Sequence, residues 1–373
     1  MRERPQCSER GPSGPAEGQE REASTNVSAI DIGEVPEGID IDRVTEWFQA
    51  NAAAVDPPLT FSLIAGGRSN LTYRVTDRAG HAWVLRRPPL GQVLATAHDM
   101  SREHRIISAL APTDVPVAPV IGLCTDEAVN GAPFYVMGFV DGLVARDRAA
   151  AEQLGVEERR HAGHQVAEVL ARIHAVDPDA VGLGDLGRKE GYIDRQLRRW
   201  YGQWQKSKTR DLPTVDEVHD ALAGRVPEQG PATIVHGDYR LDNCLLDPDG
   251  NIAAVLDWEL CTLGDPLADV GLLLVYWNDP GDAFAALING PTIAEGFPTR
   301  GELIDRYAAS SGRDVAGVGY YEAFGYWKLA CILEGVYARY KGGAMGTASG
   351  YEGFAPQVEL LADAARDTLE RLG

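Results

Sequence analysis

Apolar residues follow one spacing in the first part of the chain and another in the second. In the first part, apolar and polar residues alternate over short runs, which is typical of half-buried strands. This alternation recurs between Leu59 and Phe139 in short runs separated by glycine, proline or asparagine. The predicted strands are residues 61–64, 72–76, 82–86, 118–124 and 134–139. One helix is predicted over residues 100–110, where it ends before Pro112. The pattern therefore predicts a small antiparallel sheet with one inserted helix.

After Gly142 the apolar residues recur at the helical period of three to four. Long helices are predicted at residues 156–175, 192–207, 214–223, 320–340 and 357–372, with an earlier one at 41–54. Strand-like runs persist only at residues 233–235, 244–246 and 252–256. Residues 1–28 have almost nothing apolar to bury, so a disordered tail is predicted there. The expected fold class is α+β.

Charge and cysteine usage exclude several classes of protein. The net charge is −20, which argues against nucleic acid or an anionic membrane surface as the partner. The sequence has no apolar run of about 18 residues that could span a bilayer, and its N-terminus lacks the apolar core of a secretory signal. The cysteines are scattered and form no CxxC pair, so neither a disulfide framework nor a zinc site is indicated. A cytoplasmic location, where thiols stay reduced, is expected.

Residues 236–243, which read His-Gly-Asp-Tyr-Arg-Leu-Asp-Asn, carry the strongest chemical signal. Asp238 comes directly after a predicted apolar strand, Asn243 follows five residues later, and Asp257 ends a later apolar run. Phosphoryl transfer needs a carboxylate that accepts the proton of the attacking hydroxyl group, and it needs oxygen ligands for the Mg²⁺ on the nucleotide phosphates. The spacing therefore predicts Asp238 as the base and Asn243 and Asp257 as magnesium ligands.

Other polar residues near these motifs are open to more than one interpretation. His236 is expected to support the loop through a hydrogen bond rather than to take part in proton transfer. Glu259 is either a group at the metal site or an acid that is solvated or salt-bridged. Asp265 and Asp269 stand at the start of a predicted helical region, so capping of that helix is the favoured interpretation for both.

The motif His-Gly-Asp-x-x-x-x-Asn, followed by Leu-Asp-Trp-Glu at residues 256–259, resembles the aminoglycoside phosphotransferase superfamily, which has a protein-kinase-like fold and includes choline kinases. Residues 260–269 are similar to the branch related to the kinase-like domain of acyl-CoA dehydrogenase fusions. The resemblance implies a two-lobed fold. Residues 29–138 would form a nucleotide-binding lobe with a small antiparallel sheet and one helix, and residues 139–373 a larger, mainly helical lobe for catalysis and substrate binding.

The resemblance also implies roles in the first lobe. Arg86 stands where a kinase has the lysine that holds the nucleotide phosphates, and Glu103 on the predicted helix is its expected partner. Main-chain groups of Met137 and Phe139, in the linker between lobes, would pair with the adenine edge. A loop over the phosphates is expected at the Gly-Gly turn after the first strand, although such a turn alone also fits an ordinary hairpin. The expected contacts of that loop are Gly67, Ser69 and Asn70.

These roles imply an ATP- or GTP-dependent phosphotransferase that uses Mg²⁺ and phosphorylates a hydroxyl group of a small molecule. The expected acceptor is a metabolic hydroxy compound, an acyl-CoA-type compound or an aminoglycoside-like molecule. Its candidate contacts are aromatic residues of the second lobe with Arg339 and Lys341, which also fit core packing and helix capping. Arginine in place of lysine at position 86 favours an alternative, a nucleotide-binding pseudokinase with a regulatory role. A metal-dependent hydrolase would need more metal ligands than the motif offers.

Overall fold

An antiparallel sheet occupies the first part of the chain. Its strands are β1 (Thr60–Ala65), β2 (Leu71–Thr76), β3 (Ala82–Arg87), β4 (Val120–Cys124) and β5 (Phe134–Gly138). They lie in the order β1-β2-β3-β5-β4, and each pairs antiparallel with its neighbours. Helix α1 (Ile41–Asn51) precedes the sheet, and helix α2 (Met100–Leu110) connects β3 to β4. The predicted sheet and inserted helix are confirmed, and a four-residue helix, α3 (Glu127–Asn130), adds to them between β4 and β5.

The computed structural model describes residues 36–65, 70–90, 99–279, 281–282, 290–342 and 353–373. The predicted tail over residues 1–28 and the predicted phosphate-loop residues Gly67 and Ser69 lie outside the described residues. Val35–Gly373 forms one unit by its internal contacts.

Strand β3 carries different side chains on its two faces. Trp83 and Leu85 pack into a cluster with Phe48 of α1, so this helix covers one face of the sheet. Val84 belongs to the larger core cluster on the opposite face. Because side chains alternate along a strand, Arg86 lies on the same face as Val84, where its guanidinium group reaches a carboxylate from the second half of the chain.

Helices dominate the second half of the chain. They are α4 (Arg148–Ala151), α5 (Val156–Ala175), α6 (Tyr192–Ser207), α7 (Pro213–Ala223), α8 (Leu267–Tyr276), α9 (Arg300–Ser311), α10 (Val318–Lys341) and α11 (Phe354–Arg371). Helix α10 packs against α6, α8 and α11, with Trp327 fully buried between them. Among the described residues, no helix is long and apolar enough to cross a membrane. The predicted α+β class is confirmed.

The predicted helix bounds are within three residues of those observed, and one such difference is the end of α1. This helix ends at Asn51 because Ala52 adopts an extended conformation, with φ −107° and ψ 145°. The prediction extended to residue 54 because it used only the spacing of apolar residues. That spacing does not indicate where the backbone dihedral angles cease to be helical. Helices α5 and α6 have the predicted bounds.

Short strands in the second half of the chain position the segments that contain Asp238, Asn243 and Asp257. Strands β8 (Cys244–Leu246) and β9 (Ile252–Val255) form a hairpin, and β6 (Leu143–Val144) pairs with β8. Cys244 lies opposite Val255, and the Leu256 N–H donates to Asn243 O at 2.8 Å. Asn243 and Asp257 therefore leave the same end of the hairpin. Strand β7 (Thr233–Val235) pairs with β10 (Thr262–Gly264), which brings the start of the motif next to the segment after Asp257.

Candidate active site

The loop between β7 and β8 holds Asp238 in one orientation. The amide of Asn243 donates to the Asp238 main-chain oxygen at 2.8 Å and to its Oδ2 atom at 3.1 Å. No hydrogen-bond donor reaches Asp238 Oδ1 from the described residues. Gly237 has a φ of 85°, and a Cβ at this position would lie 2.8 Å from Leu260 O, so the turn requires glycine. One carboxylate oxygen is thus fixed, and the other is left for a ligand.

Asp269 of α8 anchors this loop. Its carboxylate accepts the main-chain N–H groups of His236 at 2.7 Å and Gly237 at 2.9 Å. It also pairs with His174 of α5 at 3.3 Å, and it is 1% exposed. Burial by itself would raise the pKa of Asp269, but the hydrogen bonds from His174 and the Gly237 N–H outweigh burial and lower it. A buried, ionised carboxylate therefore holds the start of the loop.

The capping interpretation is confirmed for Asp265 and wrong for Asp269. Asp265 Oδ1 accepts the N–H of Leu267, the first residue of α8, at 3.1 Å. Asp269 lies on the inward face of the first turn of α8, where packing of this helix against the β7 strand end offers it two N–H groups from elsewhere in the chain. His236 supports the loop as predicted, since its Nε2 contacts Leu256 O at 3.0 Å and its Nδ1 accepts the Asp238 N–H at 3.3 Å.

Replacing Asp269 by asparagine should lower the free energy of unfolding by about 2–4 kcal/mol, because the amide nitrogen would face an N–H donor and leave it unpaired in the interior. Urea unfolding followed by circular dichroism measures the change. Asp314→Asn, at an exposed turn whose carboxylate accepts one N–H, is the matched control. A loss at Asp269 no larger than that of the control would mean that the anchor contributes little.

Arg86 lies between two carboxylates in the interior. Its Nη2 atom is 2.7 Å from Asp257 Oδ1, and its Nε atom is 3.3 Å from Glu103 Oε2. Glu103 is 2% exposed and accepts hydrogen bonds from the Asn70 amide at 2.7 Å and the Tyr135 hydroxyl at 2.9 Å. Burial raises the pKa of Glu103, and the charge of Arg86 opposes that shift. The Asn70 amide is thus bonded to Glu103. This contact fits a role in holding the Arg86–Glu103 ion pair better than a role in contacting phosphate directly.

Asp257 and Glu259 make this edge of the site acidic. Asp257 has a φ of 63° and begins the turn after β9. Glu259 Oε2 is buried, has no hydrogen-bond partner in the part of the chain that the structure describes, and lies 3.9 Å from Arg86 Nη2. Burial, and then the charge of Asp257, raises the pKa of Glu259 to about 7. A cation bound here would neutralise this excess of negative charge.

The donor set fits Mg²⁺ better than a metal held by the protein alone. Within the described ranges, no group of three or more His, Cys, Asp or Glu side chains could hold a metal ion. Mg²⁺ on nucleotide phosphates needs only one or two carboxylates, because water and phosphate supply the remaining oxygens. Asp257, with the amide oxygen of Asn243 at the same hairpin end, is a donor set of that kind.

The β5 end offers fewer main-chain groups than the sequence suggests. The Phe139 N–H donates to Ala82 O at 3.2 Å, so this donor is used within the sheet. Any contact of Phe139 with an adenine ring would fall to its carbonyl group. The Met137 side chain is buried against the larger core cluster, with Met137 paired to Val84 across β3 and β5.

Two cations beside the loop carry no obvious signal in the sequence motifs. Arg240 Nε lies 3.5 Å from Asp238 Oδ2, and its guanidinium group lies over the Tyr276 ring at 4.8 Å. Lys328 Nζ lies 3.4 Å from Gly237 O, and Lys328 is buried. The available signal for Lys328 is a lone cation within an apolar stretch of α10. Trp327, one of the aromatic residues of the second lobe, belongs to the core, as the alternative interpretation of those residues expected.

Comparisons with known proteins agree with this architecture. A crystal structure of a "putative aminoglycoside phosphotransferase" from Ralstonia eutropha JMP134 is 32% identical, has a TM-score of 0.76, and the match covers 89% of this chain and 98% of that one. Acyl-CoA dehydrogenase family member 10 of Mus musculus is 36% identical over 315 residues, and family member 11 of Gallus gallus is 34% identical over 316 residues.

These two relatives are much longer than the chain. The matches cover 82% and 83% of this chain but only 29% and 40% of the relatives. The resemblance to the aminoglycoside phosphotransferases and to the acyl-CoA dehydrogenase branch is confirmed, as is the kinase-like fold. Residues 60–305 match the phosphotransferase enzyme family, so the chain belongs to that family.

Proposed function

We propose that the chain transfers the γ-phosphoryl group of ATP, or of GTP, to a hydroxyl group of a small molecule. The observation that carries the proposal is the fixed orientation of Asp238, whose Oδ2 is held by Asn243 while Oδ1 is free of donors from the described residues. Asp257 follows the same end of the β8–β9 hairpin, where it contacts Arg86 of strand β3. A base, a metal carboxylate and a phosphate-binding cation are thus available together.

Asp238 acts as the general base in this proposal. Its Oδ1 accepts the proton of the acceptor hydroxyl group as the hydroxyl oxygen forms a bond to the γ-phosphorus. The bond between that phosphorus and the bridging oxygen breaks, and the nucleoside diphosphate leaves with the electron pair. Arg240 Nε lies 3.5 Å from Oδ2, the carboxylate oxygen that Asn243 also contacts.

The other residues bind and orient. Mg²⁺, held by Asn243 and Asp257, would supply charge neutralisation on the phosphates. Arg86 would steady those phosphates, with its position set by Glu103, and Asn70 would hold Glu103. Gly67 and Ser69 are proposed to cover the phosphates, and main-chain groups of Met137 and Phe139 to face the adenine ring.

One contact favours a second candidate, a nucleotide-binding module with weak or no catalysis. Arg86 already pairs with Asp257 at 2.7 Å, so the proposed metal carboxylate is occupied by an arginine where a kinase has a lysine. Mg-ATP would have to loosen this pair on binding. The two candidates differ in whether phosphate leaves the nucleotide, which makes them separable by experiment.

Mg-ATP should raise the melting temperature of the protein, and Asp257→Asn should abolish the rise. At a nucleotide concentration about 100 times Kd, the folded state gains about 2.7 kcal/mol. Differential scanning fluorimetry with Mg-ATP, Mg-GTP and Mg²⁺ alone measures the shift, with Asp249→Asn on the exposed turn of the same hairpin as control. Nucleoside diphosphate release that depends on an added hydroxyl compound identifies the enzyme. Stabilisation without such release, across a broad pool of hydroxyl compounds, would favour the binding module, and no stabilisation would refute both.

A further inference from the structure

A cavity of about 570 Å³ opens beside the catalytic loop. Gly237 lines it directly before Asp238, and the segment from Glu259 to Thr262 forms one wall. Trp200 of α6 contributes a flat apolar surface. The charged side chains of the lining are one acid, Glu259, and five cations that converge from three distant parts of the chain: Arg102, Arg188, Arg195, Arg199 and Lys328.

None of these five cations forms an ion pair with an acid of the described residues, as some other basic side chains of the protein do. No carboxylate of the described residues lies within 4 Å of any of the five, whereas Arg86, Arg210 and Arg300 each pair with at least one. The chain has 55 acidic residues against 35 arginines and lysines, so acids are available to pair with them. Five cations without ion pairs around one cavity give it an excess of positive charge, which suits a negatively charged ligand.

Two of the five cations are held in place by main-chain oxygens without being neutralised. Arg102 donates to the main-chain oxygens of Leu186 at 3.1 Å and Cys261 at 2.7 Å. Arg195 donates to the main-chain oxygens of Glu190 and Arg188. Main-chain oxygens orient a guanidinium group but do not cancel its charge, so an anion in the cavity would still gain the full attraction.

Lys328 links the basic cluster to the catalytic loop. Its ammonium group is buried, lies 3.4 Å from Gly237 O and 5.8 Å from the Trp200 ring centre, and has no acid in contact among the described residues. Burial lowers the pKa of Lys328 and outweighs the charges of Asp238 and Asp269, which would raise it. Burial and the charge of Arg188 likewise lower the pKa of Arg195. An anion bound between these groups would relieve both desolvation and mutual repulsion.

We infer that this cavity binds a phosphate group carried by the acceptor, while the acceptor's hydroxyl group lies at Asp238. The inference deepens the proposed function and rests on it. A phosphate dianion fits better than a single carboxylate, because several guanidinium groups can each share its oxygens through paired N–H donors. A polycationic, aminoglycoside-like acceptor would meet five like charges here. Of the acceptors expected from the sequence, the anionic ones are therefore favoured.

Binding of inorganic pyrophosphate, measured by isothermal titration calorimetry on the full chain without nucleotide, tests the site. The variant R188Q/R199Q removes two cations that line the cavity and whose side chains have no recorded hydrogen bonds in the described chain, so folding should be kept. The control R198Q/K206Q removes the same charge from exposed positions of α6 outside the cavity. We expect affinity to fall by about tenfold or more in R188Q/R199Q and to stay within about twofold in the control. If pyrophosphate affinity is the same in the two variants, whether unchanged or weakened, the inference that this cavity binds phosphate is wrong.

A second measurement separates this inference from the proposed function. Glycerol and glycerol 3-phosphate form a matched pair of hydroxyl compounds, and the phosphate ester should have the lower KM, with that advantage lost in R188Q/R199Q and kcat little changed. Better turnover of a cationic amino sugar than of any phosphate ester would sink the inference but leave phosphotransfer standing. Pyrophosphate binding that depends on Arg188 and Arg199, with no turnover of any hydroxyl compound, would keep the anion site and reject phosphotransfer.

Discussion

Asp238→Asn is expected to lower acceptor-dependent release of nucleoside diphosphate by about 10²–10⁴-fold, the range by which a positioned general base accelerates a reaction. Asparagine has the same shape as aspartate but cannot accept the hydroxyl proton. The Asn243 amide would still donate to the main-chain oxygen of residue 238, so the loop should keep its conformation. Mg-ATP stabilisation should therefore be unchanged, and the loss should appear in kcat.

Steady-state kinetics on the best hydroxyl compound from the pool provides the measurement, with thermal stabilisation by Mg-ATP recorded on the same sample. Asp249→Asn, an exposed acid on the turn of the β8–β9 hairpin, makes the same chemical change away from the loop and should leave both quantities unchanged. Turnover of Asp238→Asn within about threefold of the unsubstituted protein would place the base elsewhere, since the smallest expected effect is a hundredfold.

Arg86→Met should lower the free energy of unfolding by about 3–5 kcal/mol, the cost of leaving a buried carboxylate without its cation. Arg86 is 11% exposed and its partner Glu103 only 2%, so water cannot replace the lost charge at Glu103. Asp257 loses the same partner but is 33% exposed and suffers less. Chemical denaturation with urea, followed by fluorescence of the tryptophans, measures the loss.

A double variant shows whether charge is the cause. R86M/E103Q removes the cation and the buried charge together. The glutamine Oε1 can still accept from the Asn70 amide, and its Nε2 can donate to the Tyr135 hydroxyl oxygen, so both groups that now bond to Glu103 keep a partner. At least half of the stability lost in Arg86→Met should return. If the double variant is no more stable than Arg86→Met alone, lost packing of the arginine side chain outweighs the unpaired carboxylate, and the electrostatic explanation is wrong.

Local pattern was enough for much of the fold. Helices α5 and α6 have the predicted bounds because their apolar residues keep a helical period over 20 and 16 residues. The alternation in β3 correctly separates Trp83 and Leu85 from Val84 and Arg86. Strands β6 and β10, with two and three residues, were missed; they pair with β8 and β7, and such long-range pairing is not visible in the local sequence.

The sequence by itself determined the family, the α+β class and the spacing of Asp238, Asn243 and Asp257, because these follow from residues close together in the chain. Tertiary structure alone decided the rest. Asp269 holds a loop 32 residues away, and cations from α2, α6 and α10 surround one cavity. Such contacts depend on how helices pack over long sequence separations, and neither periodicity nor motif spacing encodes which side chains then meet.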